Sequence, residues 1–366
     1  MEIAAAVTPG TGEPFEIKTL ELDDPRPNEV RVKLTATGVC HTDAIVRDQV
    51  YPTPLPAVLG HEGAGIVESV GDAVTTIQPG DHVVLGFNSC GECTQCFTGR
   101  PAYCKNFYDY NFAGVRPDET TALSDNGTNV SSHFFGQSSF ATHANVSARS
   151  VVKVDDDAPL ALLGPLGCGL MTGAGSIMNS LAVRAGETVA IFGTGAVGSS
   201  AIMAAAAVGA ITIIAIDLVD SRLEAAGDYG ATHTINSGNE NLAERIAEIT
   251  GGQGVNVALD TTGITAVTRQ AADSVSINGR VGLVGAPNLG DEVTFEVGAS
   301  LLKGWSFQTI IEGDAVPQDF IPKLVDLWRQ GKFPIEKLTK TYPLDQINQA
   351  FEDSATGKTI KPIVTF

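Results

Sequence analysis

Four of the six cysteines crowd into one short stretch. Cys90, Cys93, Cys96 and Cys104 are spaced Cys-x2-Cys-x2-Cys-x7-Cys. Thiolates at these intervals can close a tetrahedron about zinc, and four protein ligands leave no position open to a reactant. Such a site is structural and orders a loop that has too few apolar side chains to order itself. The cysteine count alone also admits an iron–sulfur cluster. The other two cysteines stand apart, Cys40 in Cys40-His41-Thr42-Asp43 and Cys168 between two glycines. Taken singly, each reads as a buried thiol, and His61 in Gly60-His61-Glu62 reads as a hydrogen-bonded structural histidine.

A second chemical signature is Gly193-Thr194-Gly195-Ala196-Val197-Gly198, a G-x-G-x-x-G string. A β-rich run precedes it, an alanine-rich helical stretch follows, and the next apolar run ends in Asp217. In that context Gly193, Gly195 and Gly198 let the backbone approach a pyrophosphate, whose charge the helix N-terminus favours. Asp217 would accept hydrogen bonds from the adenosine ribose hydroxyls. A carboxylate there repels a 2′-phosphate, so NAD is expected rather than NADP.

The elements that must position these groups fall into two patterns. Residues 3–7, 30–35, 66–70 and 82–85 have strand composition, with turn signals every 8–12 residues over the first ~150 residues, as in an all-β, barrel-like body. From about residue 160 the pattern changes. Apolar runs at 187–192, 211–217, 255–260 and 280–284 alternate with helical stretches, which implies a parallel sheet covered on both faces. Residues 319–330 read as helix and 361–366 as a closing strand.

The chain has 366 residues, too many for one comfortable core, so two domains are expected. Net charge is −19, which argues against a nucleic-acid-binding face. No apolar run reaches the length of a membrane span. The acidic residue at position 2, with no basic segment before an apolar core, speaks against a secretory signal. The expected setting is the cytoplasm, where disulfides are rare.

Gly60-His61-Glu62-Gly63-Ala64-Gly65, the four-cysteine loop, Gly193–Gly198 and Cys40-His41-Thr42-Asp43 together resemble the zinc-dependent medium-chain alcohol dehydrogenases, in that family's order and over nearly the whole chain. Arg47-Asp48-Gln49, residues 163–169 and His133-Phe134-Phe135-Gly136-Gln137-Ser138-Ser139-Phe140-Ala141-Thr142 resemble its aryl-alcohol (benzyl alcohol) branch. The resemblance implies an α/β protein: a GroES-like β-rich catalytic domain over 1–162 and 310–366, and a Rossmann doubly wound NAD-binding domain over 163–309. It implies two zincs per chain. Cys40, His61 and Cys168 would hold the catalytic one, and the four-cysteine loop the structural one. Asp43 and Glu62 match carboxylates behind the metal ligands, with Asp43 orienting His61 and Glu62 able to visit the metal. Thr42 matches the hydroxyl that takes the alcohol proton. His41 and Lys361 match groups near the cofactor pyrophosphate, Arg222 one near the adenosine ribose, and Thr172 and Val197 residues beside the nicotinamide.

One departure stands out. Many relatives carry a proton-passing histidine three residues after the Thr42 position, and here that residue is Ile45. Gly86 stands where some relatives have a bulky pocket aromatic, which leaves room for a ring that Phe134 and Phe135 could line. Core packing is the alternative for both phenylalanines. The expected reaction is NAD-linked oxidation of a primary aromatic or allylic alcohol to the aldehyde. A terpenoid (geraniol-type) alcohol dehydrogenase and a thiol-adduct formaldehyde dehydrogenase are the alternatives on this scaffold. A polyol dehydrogenase would want a different third ligand from Cys168, and a non-catalytic redox sensor would not need all three ligands. The polar insertion at 111–133 points to a homodimer through the edge strands of the nucleotide domain, with a tetramer as the alternative.

Overall fold

The computed structural model describes all residues, Met1–Phe366. The chain forms two compact units. The first comprises Met1–Cys168, Val316–Val325 and Ile335–Phe366; the second comprises Gly169–Ala315 and Asp326–Pro334. These divisions fall six residues beyond the 162/163 and 309/310 boundaries expected from sequence, and Asp326–Pro334, expected in the catalytic domain, groups with the second unit. No composition break marks 169 or 316, because both fall inside continuous apolar or turn-rich stretches.

The first unit is β-rich. One sheet of five strands has the order Ala57–Val58, Glu2–Thr8, Glu16–Leu22, Leu123–Asp125, Thr128–Val130. A seven-stranded sheet runs Val151–Val154, His82–Leu85, Gly63–Val70, Glu29–Gly38, Lys361–Thr365, Thr339–Pro343, with His143–Ser147 also paired to Glu29–Gly38. Glu29–Gly38 is central, with Gly63–Val70, His143–Ser147 and Lys361–Thr365 all paired to it. Val30, Val32 and Leu34 pack with Val67, Val83, Leu85, Val146 and Val151. The last strand of the chain pairs antiparallel to it, Val364 opposite Thr37, so residues far apart in sequence share one sheet. The polar insertion contributes the short hairpin of Leu123–Asp125 and Thr128–Val130.

The second unit holds a six-stranded, all-parallel sheet in the order His233–Asn236, Thr212–Asp217, Thr188–Phe192, Val255–Asp260, Val275–Leu283, Ser306–Thr309. Parallel strands need crossovers, and the intervening helices Ala196–Ala207, Asp220–Asp228, Leu242–Thr250 and Thr265–Ser274 supply them. The inner strands Thr212–Asp217, Thr188–Phe192 and Val255–Asp260 are rich in aliphatic residues, as burial on both faces requires. The core of the sheet includes Ala190, Phe192, Ile214, Ile216, Ala258 and Val281. No single helix is long and apolar enough to cross a membrane.

Candidate metal centres and nucleotide fingerprint

The strand Glu29–Gly38 delivers Cys40 to the mouth of a short helix, His41–Arg47, which Cys40 caps. Asp43 lies in the first turn of that helix and is fully buried. It accepts from three donors: the Cys40 backbone N–H at 3.0 Å, the Gly60 N–H at 3.0 Å, and His61 Nδ1 at 2.8 Å. One carboxylate thus fixes the backbone of one cysteine and the ring of one histidine. With Nδ1 committed to Asp43, the imidazole presents Nε2 as its lone-pair face. His61 Nε2 is buried and has no hydrogen-bond partner.

That orphaned nitrogen looks into a cage. The ligand atoms of Cys40, His61, Glu62 and Cys168 all lie within 4.8 Å of one another. A hydrogen bond from Cys168 and the charges of Lys361 and His61 hold the Cys40 thiol well below its usual pKa, against the effect of burial. Burial opposes a proton on His61, yet the Asp43 and Cys40 charges push its pKa well above normal. A buried set that pulls this hard for positive charge, and leaves a nitrogen lone pair unspent, fits a divalent cation. Two thiolates and an imidazole are the donor set zinc prefers.

Glu62 is fully buried beside the ligands, and burial pushes its pKa up against the pull of Lys361. Gly38 makes room for it: a Cβ there would stand 1.9 Å from Glu62 Oε2. Lys361 Nζ donates to both Glu62 oxygens at 2.9 Å and to the Val39 carbonyl at 3.1 Å. At 2 % exposure, Lys361 has its ammonium taken up behind the ligand set instead of standing at a surface where the sequence places a pyrophosphate contact. The cause is register. Pairing Lys361–Thr365 beside Glu29–Gly38 carries its first residue under Glu62.

A loop of unusual backbone wraps the other side of His61. His133, Phe135, Gly136 and Ser138 all have positive φ. Phe135 stacks on the imidazole at 4.5 Å between centroids, and Phe134 meets it edge-on at 5.4 Å. Both phenylalanines are buried and also pack on Phe112. They hold the ligand ring, and any substrate contact is additional to that role. Gln137 completes the support: its amide nitrogen donates to the carbonyls of His61 (2.9 Å) and Gly86 (3.1 Å), while its oxygen accepts from Gly63 N–H (3.0 Å). Sequence reasoning gave Gln137 no role, because a single glutamine carries no spacing signal. A Cβ on Gly86 would lie 3.2 Å from Pro317 Cβ, so that proline, also unmarked in the sequence, shares the space the glycine vacates. Thr42 lies in the same first turn as Asp43, 3.8 Å from the Cys40 sulfur. His41 is exposed at the helix start, and Ile45 lies one turn further on.

The four-cysteine loop closes on itself. The sulfurs of Cys90, Cys93, Cys96 and Cys104 lie within 4.8 Å of one another, with Cys93–Cys96 at 3.6 Å and Cys90–Cys96 at 4.0 Å. A tetrahedron with Zn–S near ~2.3 Å has sulfurs about 3.8 Å apart, which these distances match. Backbone N–H groups of Cys96 and Lys105 hold the Cys93 thiol down to about 6, while burial pushes Cys104 up to about 12.

In the second unit the fingerprint joins Thr188–Phe192 to the helix Ala196–Ala207. Gly193 has φ 87°, and a Cβ on Gly198 would stand 1.8 Å from the Gly193 carbonyl oxygen, so both must be glycine. Asp217, at the end of the next strand, accepts from Thr194 N–H (2.7 Å) and Oγ1 (2.8 Å) and from Leu218 N–H (2.8 Å). These bonds fix its carboxylate beside the loop. Arg222 lies on the following helix with its Nε buried and unpartnered. Thr172 lies on the helix Gly169–Gly175, whose Gly173 packs against the Val197 carbonyl.

A GroES-like β-rich unit with a thiolate–imidazole cage and a zinc-type cysteine loop, next in sequence to a doubly wound parallel sheet, defines a zinc-binding dehydrogenase. Comparison agrees. Residues 26–156 match the alcohol dehydrogenase GroES-like domain, and residues 196–329 match the zinc-binding dehydrogenase family. The geraniol dehydrogenase of Castellaniella defragrans is 44% identical over 364 residues, covering 99% of this chain and 97% of that protein. The crystal structure of benzyl alcohol dehydrogenase from Acinetobacter calcoaceticus is 50% identical, with TM-score 0.97, covering 100% of this chain and 99% of that one. An alcohol dehydrogenase zinc-binding domain protein from Burkholderia ambifaria is 53% identical with TM-score 0.99, over 100% and 99% of the two chains. The chain belongs to the zinc-dependent medium-chain alcohol dehydrogenases, which act on small alcohols and aldehydes.

Proposed function

We propose that the protein oxidises a primary alcohol whose carbinol carbon adjoins an sp2 carbon, benzylic or allylic, to its aldehyde with NAD⁺. The observation that carries the metal-assisted part is the unspent, buried Nε2 of His61 facing two thiols. When bound, zinc supplies Lewis-acid polarisation of the alcohol oxygen and NAD⁺ supplies the hydride acceptor. Cys40, His61 and Cys168 would hold that metal, and Asp43 keeps His61 in the tautomer that can ligate. Lys361 pairs with the buried Glu62 carboxylate beside the ligands. Thr42 is the hydroxyl placed to take the alcohol proton. Ile45 offers no onward acceptor, so that proton passes to cofactor hydroxyls or water.

The room expected beside Gly86 is taken by Pro317, whose Cβ and Cγ would lie 3.2 and 3.4 Å from a Cβ there, and by the Gly167 carbonyl, so the substrate class rests on the relatives. The named relatives act on geraniol and on benzyl alcohol, which share an activated carbinol: positive charge that builds as hydride leaves is delocalised by the neighbouring π system. Asp217 favours NAD over NADP because a 2′-phosphate would meet its charge. A homodimer is the proposed assembly. The edge strand Ser306–Thr309 is unpaired on one side, and the adjoining helix Val297–Lys303 exposes Val297, Leu301 and Leu302.

The test is NADH formation over benzyl alcohol, geraniol, ethanol and a secondary alcohol, with Cys168→Ser as the inactive control. Benzyl alcohol and geraniol should exceed ethanol in kcat/KM by roughly tenfold or more. Preference for ethanol sinks the substrate reading, and an active Cys168→Ser enzyme sinks the ligand assignment.

A further inference from the structure

Just past the strand Ser306–Thr309, three consecutive residues occupy the left-handed region: Glu312 (φ 50°), Gly313 (φ 64°) and Asp314 (φ 52°). Only the middle one is glycine. Side-chain-bearing residues held there are strained, and such strain gathers at ligand clamps. The segment is tied down on several sides. Asn179 donates to the Gly313 carbonyl at 3.1 Å, and Gln308 donates to the Asp314 carboxylate at 3.0 Å. Gly175 approaches so closely that a Cβ on it would lie 2.4 Å from the Gly313 oxygen. The result turns a carboxylate inward. Glu312 is 8 % exposed, and Thr172 Oγ1 donates to it at 3.2 Å.

Its place in the sheet gives this arrangement a use. A dinucleotide crosses the carboxyl ends of a doubly wound sheet at the point where the strand order reverses, with its pyrophosphate at the glycine loop. Here that loop follows Thr188–Phe192, the adenosine side lies toward Asp217, and the other half of the cofactor must lie past Val255–Asp260, Val275–Leu283 and Ser306–Thr309. Glu312 follows the last of these by three residues. Thr172 reaches the same end by another route, because Gly173 packs its backbone against the carbonyl of Val197, in the fingerprint's own first helical turn.

We propose that Glu312 is a cofactor-positioning residue that discriminates between the two redox states of the nicotinamide. The Thr172 hydroxyl and the left-handed backbone hold its carboxylate toward the ring. That carboxylate accepts from the carboxamide NH₂ and favours the cationic oxidised ring over the neutral reduced one. This inference rests on the NAD reading above.

The adenosine and pyrophosphate are common to NAD⁺, NADH and ADP-ribose, so their affinities separate the ring from the rest. Zinc-loaded wild type and Glu312→Gln are titrated calorimetrically with each of the three. The expected result is NAD⁺ affinity about tenfold weaker in Glu312→Gln, the scale of one partly screened charge pair. NADH should weaken by less than about twofold and ADP-ribose not at all. Equal losses for NAD⁺ and NADH, loss of ADP-ribose binding, or no change for any ligand would each overturn the proposal. A wild-type protein that binds neither nicotinamide form sinks the NAD reading itself, whereas wild-type binding with an unchanged NAD⁺/NADH ratio in the variant sinks this inference alone.

Discussion

Replacing Lys361 by methionine removes one charge from a buried pair and leaves Glu62 behind. The two groups meet at 2.9 Å through both carboxylate oxygens, with 2 % and 0 % side-chain exposure. At an effective dielectric of about 20 this attraction amounts to about 6 kcal/mol, and desolvation of the two ions opposes it by several kcal/mol each. The intact pair therefore adds little net stability. Breaking it is another matter, because the fully buried carboxylate loses its ammonium partner; the typical cost is about 3–5 kcal/mol. The Val39 carbonyl also loses its donor. For a unit of about two hundred residues this corresponds to a fall in Tm of roughly 6–20 °C. The double variant Lys361→Met/Glu62→Gln removes the orphaned charge and should recover about half of that loss. The assay is thermal unfolding of zinc-saturated wild type, both single variants and the double variant, read as a double-mutant cycle. A Lys361→Met protein within about 1 kcal/mol of wild type, or a double variant no better than the single, refutes the claim that Lys361 serves to neutralise Glu62.

Two further outcomes are expected. Burial alone would raise the pKa of Glu29, but hydrogen bonds from His133 and Arg116 hold it well below the usual carboxylate range. A depressed folded-state pKa stabilises above the unfolded value, near ~4.3, and that contribution is lost as pH falls through the folded one. The stability gap between wild type and Glu29→Gln should accordingly stay constant from pH 7 to about 5 and narrow below about pH 4; chemical denaturation across that range checks it, and a gap that widens in acid contradicts it. Cys96→Ser breaks the four-sulfur tetrahedron only, so elemental analysis should find about one zinc per chain where wild type holds two; loss of both metals, or of none, would mean the two sites are wrongly separated.

Much of the site was legible before any fold was known. The four cysteines announce themselves because a structural metal loop is local: its ligands lie within fifteen residues, and their spacing encodes the tetrahedron. The glycine fingerprint is local too, since Gly193 and Gly198 answer a backbone constraint set within one turn. The alternation of aliphatic runs with helical stretches predicts the parallel sheet because burial on both faces leaves no other composition. The scattered ligands Cys40, His61 and Cys168 were readable only through the family resemblance, because nothing in their own spacing ties them together.

Tertiary structure decided what depends on register and on side chains from distant segments. The pairing of Lys361 with Glu62 spans 299 residues and follows from which strand the last one joins. Pro317 facing Gly86, Gln137 bracing His61, and Phe134 and Phe135 packed on the imidazole are packing outcomes that no periodicity reports. Glu312 is the clearest case. No sequence motif marks it, and only the fold shows three left-handed residues turning its carboxylate onto Thr172. The physical reason is the same throughout. Sequence encodes constraints that act within a turn or a strand, while charge partners and cavity shape are set by contacts that exist only after the chain has closed on itself.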